Sequence, residues 1–102
     1  LKLSIRSGYH LYAYVAPSDA FIPTTVEVAL PAGYRALGPI SQPPSTPYNA
    51  AGTTGLYTGT IAFAQAIAGI GPGEARIKLT FQCCDDAVCL PPADREFVVK
   101  LD

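Results

Sequence analysis

The sequence predicts an all-β chain folded as a two-sheet antiparallel β-sandwich in a single domain. Three observations lead there. Short runs alternate apolar and polar residues with a period of two, the mark of a half-buried strand. Ten prolines and nine glycines punctuate the chain, and neither residue suits a helix interior. With 102 residues, 49% of them hydrophobic, the chain has the size and apolar content for one core.

The elements follow in order. Leu1 to Arg6 alternates as a strand, and Tyr9 to Val15 is an aromatic-rich run. Thr24 to Leu30 alternates again and stops at Pro31. Residues 38–55 are rich in Pro, Ser, Thr and Gly and read as a long surface loop, a length associated with functional segments. Tyr57 to Ile67 sets Ile61, Phe63, Gln65 and Ile67 on one side. Within it, Thr60 to Ile70 is alanine-rich enough for a helix, but its opening Thr, Ile and Phe favour a strand, and glycines end it soon. Gly69 to Gly73 lacks the GK[ST] ending of a phosphate loop and reads as a turn. Ala75 to Phe81 alternates strictly. Arg95 to Leu101 closes the chain with Phe97, Val99 and Leu101 on one face. Six or seven such strands suit a sandwich.

Composition narrows the function classes. The net charge is -1 and only 15% of residues are charged. No basic stripe suits a phosphate backbone, so nucleic acid is not expected as a partner. No apolar run approaches the roughly 20 residues that span a bilayer. The chain opens at Leu1 in what reads as a strand, without a visible signal peptide, as an excised or processed domain would. No paired carboxylates or Ser/His/Asp set argues for hydrolysis.

All three cysteines lie in FQCCDDAVCLPP, Phe81 to Pro92, and three readings of them stand. As a structural staple, Cys84 and Cys89 flank four residues that a tight turn can close, for about 2 kcal/mol of chain entropy. An immunoglobulin-type staple would instead join opposite sheets beside a Trp, and the chain has no Trp. As a metal site the set is poor: His10 is distant, and adjacent Cys83 and Cys84 in a strand point to opposite faces. With one His and no Met, a blue-copper set is incomplete too. As a redox-active dithiol, an exposed local pair can open and close without unfolding the domain. Asp85 and Asp86 would raise the Cys84 pKa and bias the pair towards a reductant. Strand alternation sets Cys83 on the face of Phe81, where it fills the core as a small apolar residue, and Cys84 on the face of Gln82.

This segment resembles the active-site segment of the N-terminal domain of DsbD-type thiol:disulfide interchange proteins. Phe81, Gln82, Cys84, Asp86, Cys89, Leu90, Pro91 and Pro92 fill its places. Upstream, SGYHLYAYVAP, PTTVEVALPAG and GLYTGTIAF are similar to further family segments in the same order, so the resemblance covers nearly all of residues 1–102. It implies an immunoglobulin-like sandwich with Cys84 and Cys89 as the exchanging pair, Cys89 attacking and Cys84 resolving, and no cofactor. It implies a periplasmic or otherwise extracytoplasmic domain within a membrane-anchored parent chain. Such a domain would take electrons from a thioredoxin-like domain and pass them, through transient mixed disulfides, to thioredoxin-like partners such as disulfide isomerases or cytochrome c maturation proteins. A loop caps the pair in this family. Here Tyr48-Asn49-Ala50-Ala51-Gly52 stands at that place, where some members carry acidic and aromatic residues, so Tyr48 is the expected shielding ring beside Asn49. The spacing between the cysteines is one residue shorter than in some members.

Two residues have plainer readings. His10, at a strand start, reads as a packed or hydrogen-bonded structural histidine. Tyr12 is a candidate for lining the cysteine pocket, although strand tyrosines usually pack. The competing functional reading is a non-catalytic β-sandwich that binds a protein through its long loop and keeps an inert, structural disulfide.

Overall fold

The computed structural model describes residues 1–17, 20–48 and 52–101. Among the described residues ten strands follow one another: β1 (Lys2–Ser4), β2 (Leu11–Tyr14), β3 (Thr25–Ala29), β4 (Tyr34–Ala36), β5 (Thr46–Pro47), β6 (Gly55–Tyr57), β7 (Thr60–Ala62), β8 (Ile67–Gly69), β9 (Gly73–Phe81) and β10 (Ala93–Leu101). All ladder pairings between strands are antiparallel. The hydrogen-bonded orders are β10-β9-β3, β2-β6-β5, β1-β7 and β4-β8. The chain is thus an all-β, immunoglobulin-like sandwich. No helix among the described residues is long and apolar enough to cross a membrane.

The period of two explains which face is buried. In the β3–β9–β10 sheet, Val26 lies opposite Leu79, and Val28 opposite Ile77, so the apolar residues of both strands share one face. Leu79 and Ala75 are buried there, while Glu27, Arg76 and Lys78 point outward. The facing layer supplies Leu11, Tyr57, Ile61 and Phe63, against which Leu3, Ile5, Val26, Phe81 and Cys83 pack. Tyr57 meets Phe63 edge to face, ring centroids 5.8 Å apart, a geometry that adds roughly 1 kcal/mol beyond buried area.

One expectation is corrected. The run from Thr60 to Ile70 is extended, but it is two strands rather than one. β7 pairs with β1 and β8 with β4, and Ala64 between them bridges Ser41 of the long loop. The chain changes partner mid-run. β10 keeps its alternation but not full cover. Phe97 and Val99 do share the inward face, opposite Ile77 and Ala75, yet they are 38% and 42% exposed. The physical reason is cover. β10 is an edge strand, and the described core cluster draws on no β10 residue. Val99 and Leu101 instead border an open apolar groove of about 380 Å³, with Leu1, Ile40 and Ile67 on its other walls.

The described part of the long loop before β6 is largely irregular, as its composition predicts, apart from β5 and the Ser41 bridge. Its far end is anchored. Thr54 is fully buried, its hydroxyl accepts the Ala16 N–H at 2.9 Å, and its carbonyl accepts the Tyr48 N–H at 2.8 Å.

Candidate functional site

β9 runs on past Phe81 into a tight hairpin that carries all three cysteines. Cys84 and Cys89 face each other as an antiparallel pair. The bonds Asp85 N–H to Val88 carbonyl (2.9 Å) and Leu90 N–H to Cys83 carbonyl (2.9 Å) lie on either side of that pair. It is therefore a non-hydrogen-bonded pair, the kind whose side chains approach most closely. The sulfurs are joined in a disulfide, with the Cα atoms 4.0 Å apart. Asp85 builds the turn. Its carboxylate accepts the N–H groups of Ala87 (2.8 Å) and Val88 (2.6 Å), taking the role a main-chain carbonyl fills in an ordinary turn. Gln82 fastens the hairpin to the body of the domain. Its side-chain oxygen accepts the Ile22 N–H at 3.0 Å, and its amide reaches the Leu90 carbonyl at 3.4 Å.

On its other side Cys84 pairs with His10. The two residues exchange both backbone hydrogen bonds, at 2.8 and 3.0 Å. Residues directly opposite in a ladder share a face, so Cys89, Cys84 and His10 form one lateral row, with Cys84 in the middle. Tyr12, two residues along β2, lies on the same face. Its hydroxyl is hydrogen-bonded to His10 Nε2 at 3.1 Å. Phe21 stacks flat on Tyr12, with centroids 4.3 Å apart and 8° between planes. Tyr48 meets both rings edge-on, at 5.9 and 5.7 Å. These rings make a wall beside the row; Tyr12 within it is 2% exposed, and Cys84 in the row is 0% exposed. The opposite face of the same strands belongs to the core, through Leu11, Phe81 and Cys83.

The two aspartates differ in place. Asp85 organises the turn, and the N–H groups of Val88 and Ala87, with a smaller contribution from the charge of His10, hold its carboxyl below the usual carboxylate range. Asp86 sits exposed at the turn's tip. Burial pushes the Cys83 thiol up, and the Asp85 charge pushes the same way. Cys83 lines a small apolar recess with Leu3, Leu11 and Phe81, so the two adjacent cysteines face opposite sides of the strand.

Of the residues singled out from sequence, the fold brings Cys84, Cys89 and Tyr12 together and packs Tyr48 on Tyr12. Asn49 lies outside the described residues. Sequence reasoning missed Phe21, whose only signal is an aromatic two residues before a proline in a loop, and the turn-building role of Asp85, signalled by Asp at the first turn position. The two halves of the disulfide differ in exposure. Cys89 is exposed, as are its neighbours Val88 and Leu90, whereas Cys84 has no exposed surface.

Residues 1–101 match the family model described as thiol:disulfide interchange protein DsbD, N-terminal. No curated protein and no solved structure matches the chain.

Proposed function

The chain belongs to the family of DsbD N-terminal domains, and on that premise we propose that it relays electrons between thioredoxin-like proteins through Cys84 and Cys89. The family carries thiol:disulfide interchange within larger proteins, and in DsbD proteins this domain is extracytoplasmic. The finer reading assigns Cys89 as the exchanging sulfur and Cys84 as the resolving one, in a periplasmic domain of a membrane-anchored parent chain. The observation that carries it is the asymmetry of the disulfide: one sulfur at the surface and one fully buried, on a hairpin that can open locally.

The chemistry balances in two exchanges. To load the domain, a thiolate of a thioredoxin-like donor attacks Cys89 Sγ. The Cys84–Cys89 bond breaks, and its electron pair leaves on Cys84. The donor's second thiolate then attacks its own sulfur in the mixed disulfide and releases Cys89 as a thiolate. To unload, Cys89 attacks an acceptor's disulfide, and Cys84 attacks Cys89 Sγ to free the reduced acceptor. The disulfide re-forms here, and two electrons have moved. Tyr48 and Tyr12 shield the buried half of the pair, and Asp86 lies exposed at the tip of the turn.

The test is a thiol-trapping titration of the folded domain across dithiothreitol and glutathione ratios, with alkylated cysteines mapped by mass spectrometry. The relay predicts a reversible two-electron titration of Cys84 with Cys89 while the fold persists. It also predicts that Cys84→Ala traps a mixed disulfide on Cys89, whereas Cys89→Ala traps none. A bond that resists every native buffer sinks the relay and leaves the binding module with an inert disulfide.

A further inference from the structure

We propose that β10 is the joint of a two-fold dimer, in which two copies of this chain pair their β10 edges antiparallel about Val98. The joint does not depend on the relay. β10 pairs with β9 on one side and, among the described residues, with no strand on the other. That side presents a row of backbone N–H and C=O groups without a ladder partner. Native edges of this kind are kept short, bulged or interrupted by proline. β10 is nine residues long, carries no proline, and stays in register with β9 from Ala93 to Leu101 without a bulge. Its middle, Phe97-Val98-Val99, is apolar and exposed. Beneath it the groove bordered by Val99 and Leu101 stays open. A strand laid along this edge extends the apolar inner face past Phe97 and Val99.

The pattern of β10 selects a second β10 as that strand. A two-fold axis joining two antiparallel edges stands perpendicular to the sheet, so each residue meets one of its own face, and the residue on the axis sets the register. Glu96, Val98 and Lys100 lie on the outward face with Lys78, Arg76 and Glu74 of β9. With Val98 on the axis, the two Val98 side chains meet, and each Glu96 faces Lys100 of the second copy. On the inward face each Phe97 faces Val99 of the second copy. Arg95 and Leu101 oppose each other at the two ends, where Arg95 is exposed. Other registers lose this match. Glu96 on the axis sets two carboxylates face to face. Phe97 on the axis puts Arg95 opposite Val99, and Val99 on the axis puts Lys100 opposite Val98. Apolar pairs and opposite charges directly across a ladder stabilise it, and like charges do the reverse. Glu96 already holds Arg76 at 3.1 Å, and Lys100 of the second copy approaches it from the free side. A contact that uses the same edge on both copies stops at two. The cysteine hairpin precedes Ala93, so the two disulfides lie at opposite ends of the joined sheet. The Ala93 positions are roughly 34 Å apart at 3.4 Å per residue, and the joint covers neither disulfide.

The test is sedimentation velocity of the oxidised domain from about 10 μM to about 1 mM. The expected result is a reversible monomer–dimer equilibrium with a Kd on the order of 100 μM, the class of small interfaces. Val98→Lys sets two ammonium groups together on the axis and should weaken association at least about tenfold. Lys100→Glu should weaken it as well, because Glu96 then faces a carboxylate. Adding Glu96→Lys to Lys100→Glu should restore it. Val88→Lys, on the exposed tip of the cysteine hairpin, should leave the equilibrium as in wild type. Circular dichroism checks that each variant keeps its strands, and the restoring pair separates a lost contact from a lost fold. A chain that stays monomeric to about 1 mM overturns the dimer and leaves the edge to an extended segment of another protein. A dimer indifferent to Val98→Lys, or one lost with Val88→Lys, overturns it by moving the contact to another face. A charge swap that restores nothing overturns the pairing about Val98. The thiol titration reads the relay separately, so either idea can fail without the other.

Discussion

Phe21→Ala tests the aromatic wall most directly. The substitution removes the ring that lies flat on Tyr12 and edge-on to Tyr48. A stacked pair beside a buried ring is worth about 1 kcal/mol. The edge contact contributes about half that, because Tyr48 is 49% exposed. Returning a half-buried phenylalanine side chain to water costs about 1 kcal/mol more. Together the loss is about 2.5 kcal/mol, or roughly 10–20 °C in Tm for a domain of this size. Urea unfolding of the oxidised protein reads it as a lower midpoint at constant slope. A double-mutant cycle with Tyr48→Ala isolates the edge contact, with an expected coupling of about 0.5 kcal/mol. Uncovering Tyr12 also loosens the cover over Cys84, so glutathione should reduce the variant's disulfide faster than that of wild type. A loss below about 1 kcal/mol together with an unchanged reduction rate would refute the wall as a shield.

Two further outcomes are expected. The Asp85 carboxyl is held below its ordinary range in the fold, so its contribution to stability is complete above the unfolded carboxylate pKa of about 4 and drains away as acidification passes through the lower folded value. Asp85→Asn should remove that component from an acid-unfolding curve, and a curve of identical shape would show that the turn bonds do not depend on the charge. Cys83→Ala trims a half-exposed thiol on the core side and should cost about 1 kcal/mol or less. The Cys84–Cys89 titration should then superpose on wild type, whereas a displaced titration would bring Cys83 into the exchange.

The parts of this molecule that sequence discloses are those whose causes are local. β1, β3, β9 and β10 show themselves because a pleated strand with one wet face writes its period into the residues. Strand parity at Phe81-Gln82-Cys83-Cys84 likewise places Cys83 with the core and Cys84 with Gln82, as the contacts of both show. β4 and β5 are three and two residues long, too short to carry a period. The break between β7 and β8 depends on which strand each half meets, and alternation is silent about partners. It is silent about cover as well: the pattern in Phe97, Val99 and Leu101 names an inward face, but only the opposing layer decides whether anything lies over it. The site divides the same way. The hairpin and its cysteines are legible within twelve residues, whereas Phe21 reaches Tyr12 only because Pro23 bridges that residue across the fold.

The placement of Cys83 and Cys84 on opposite faces of one strand has a consequence for how the protein can change over generations. The residues packed into the core, Leu11, Phe81 and Cys83, and those beside the disulfide, His10, Tyr12 and Cys84, interleave along the chain but lie on opposite sides of the strands that carry them. A substitution on one side leaves the other's packing in place. The surroundings of the buried sulfur can therefore be altered without disturbing the scaffold, with a single sheet's thickness separating the two.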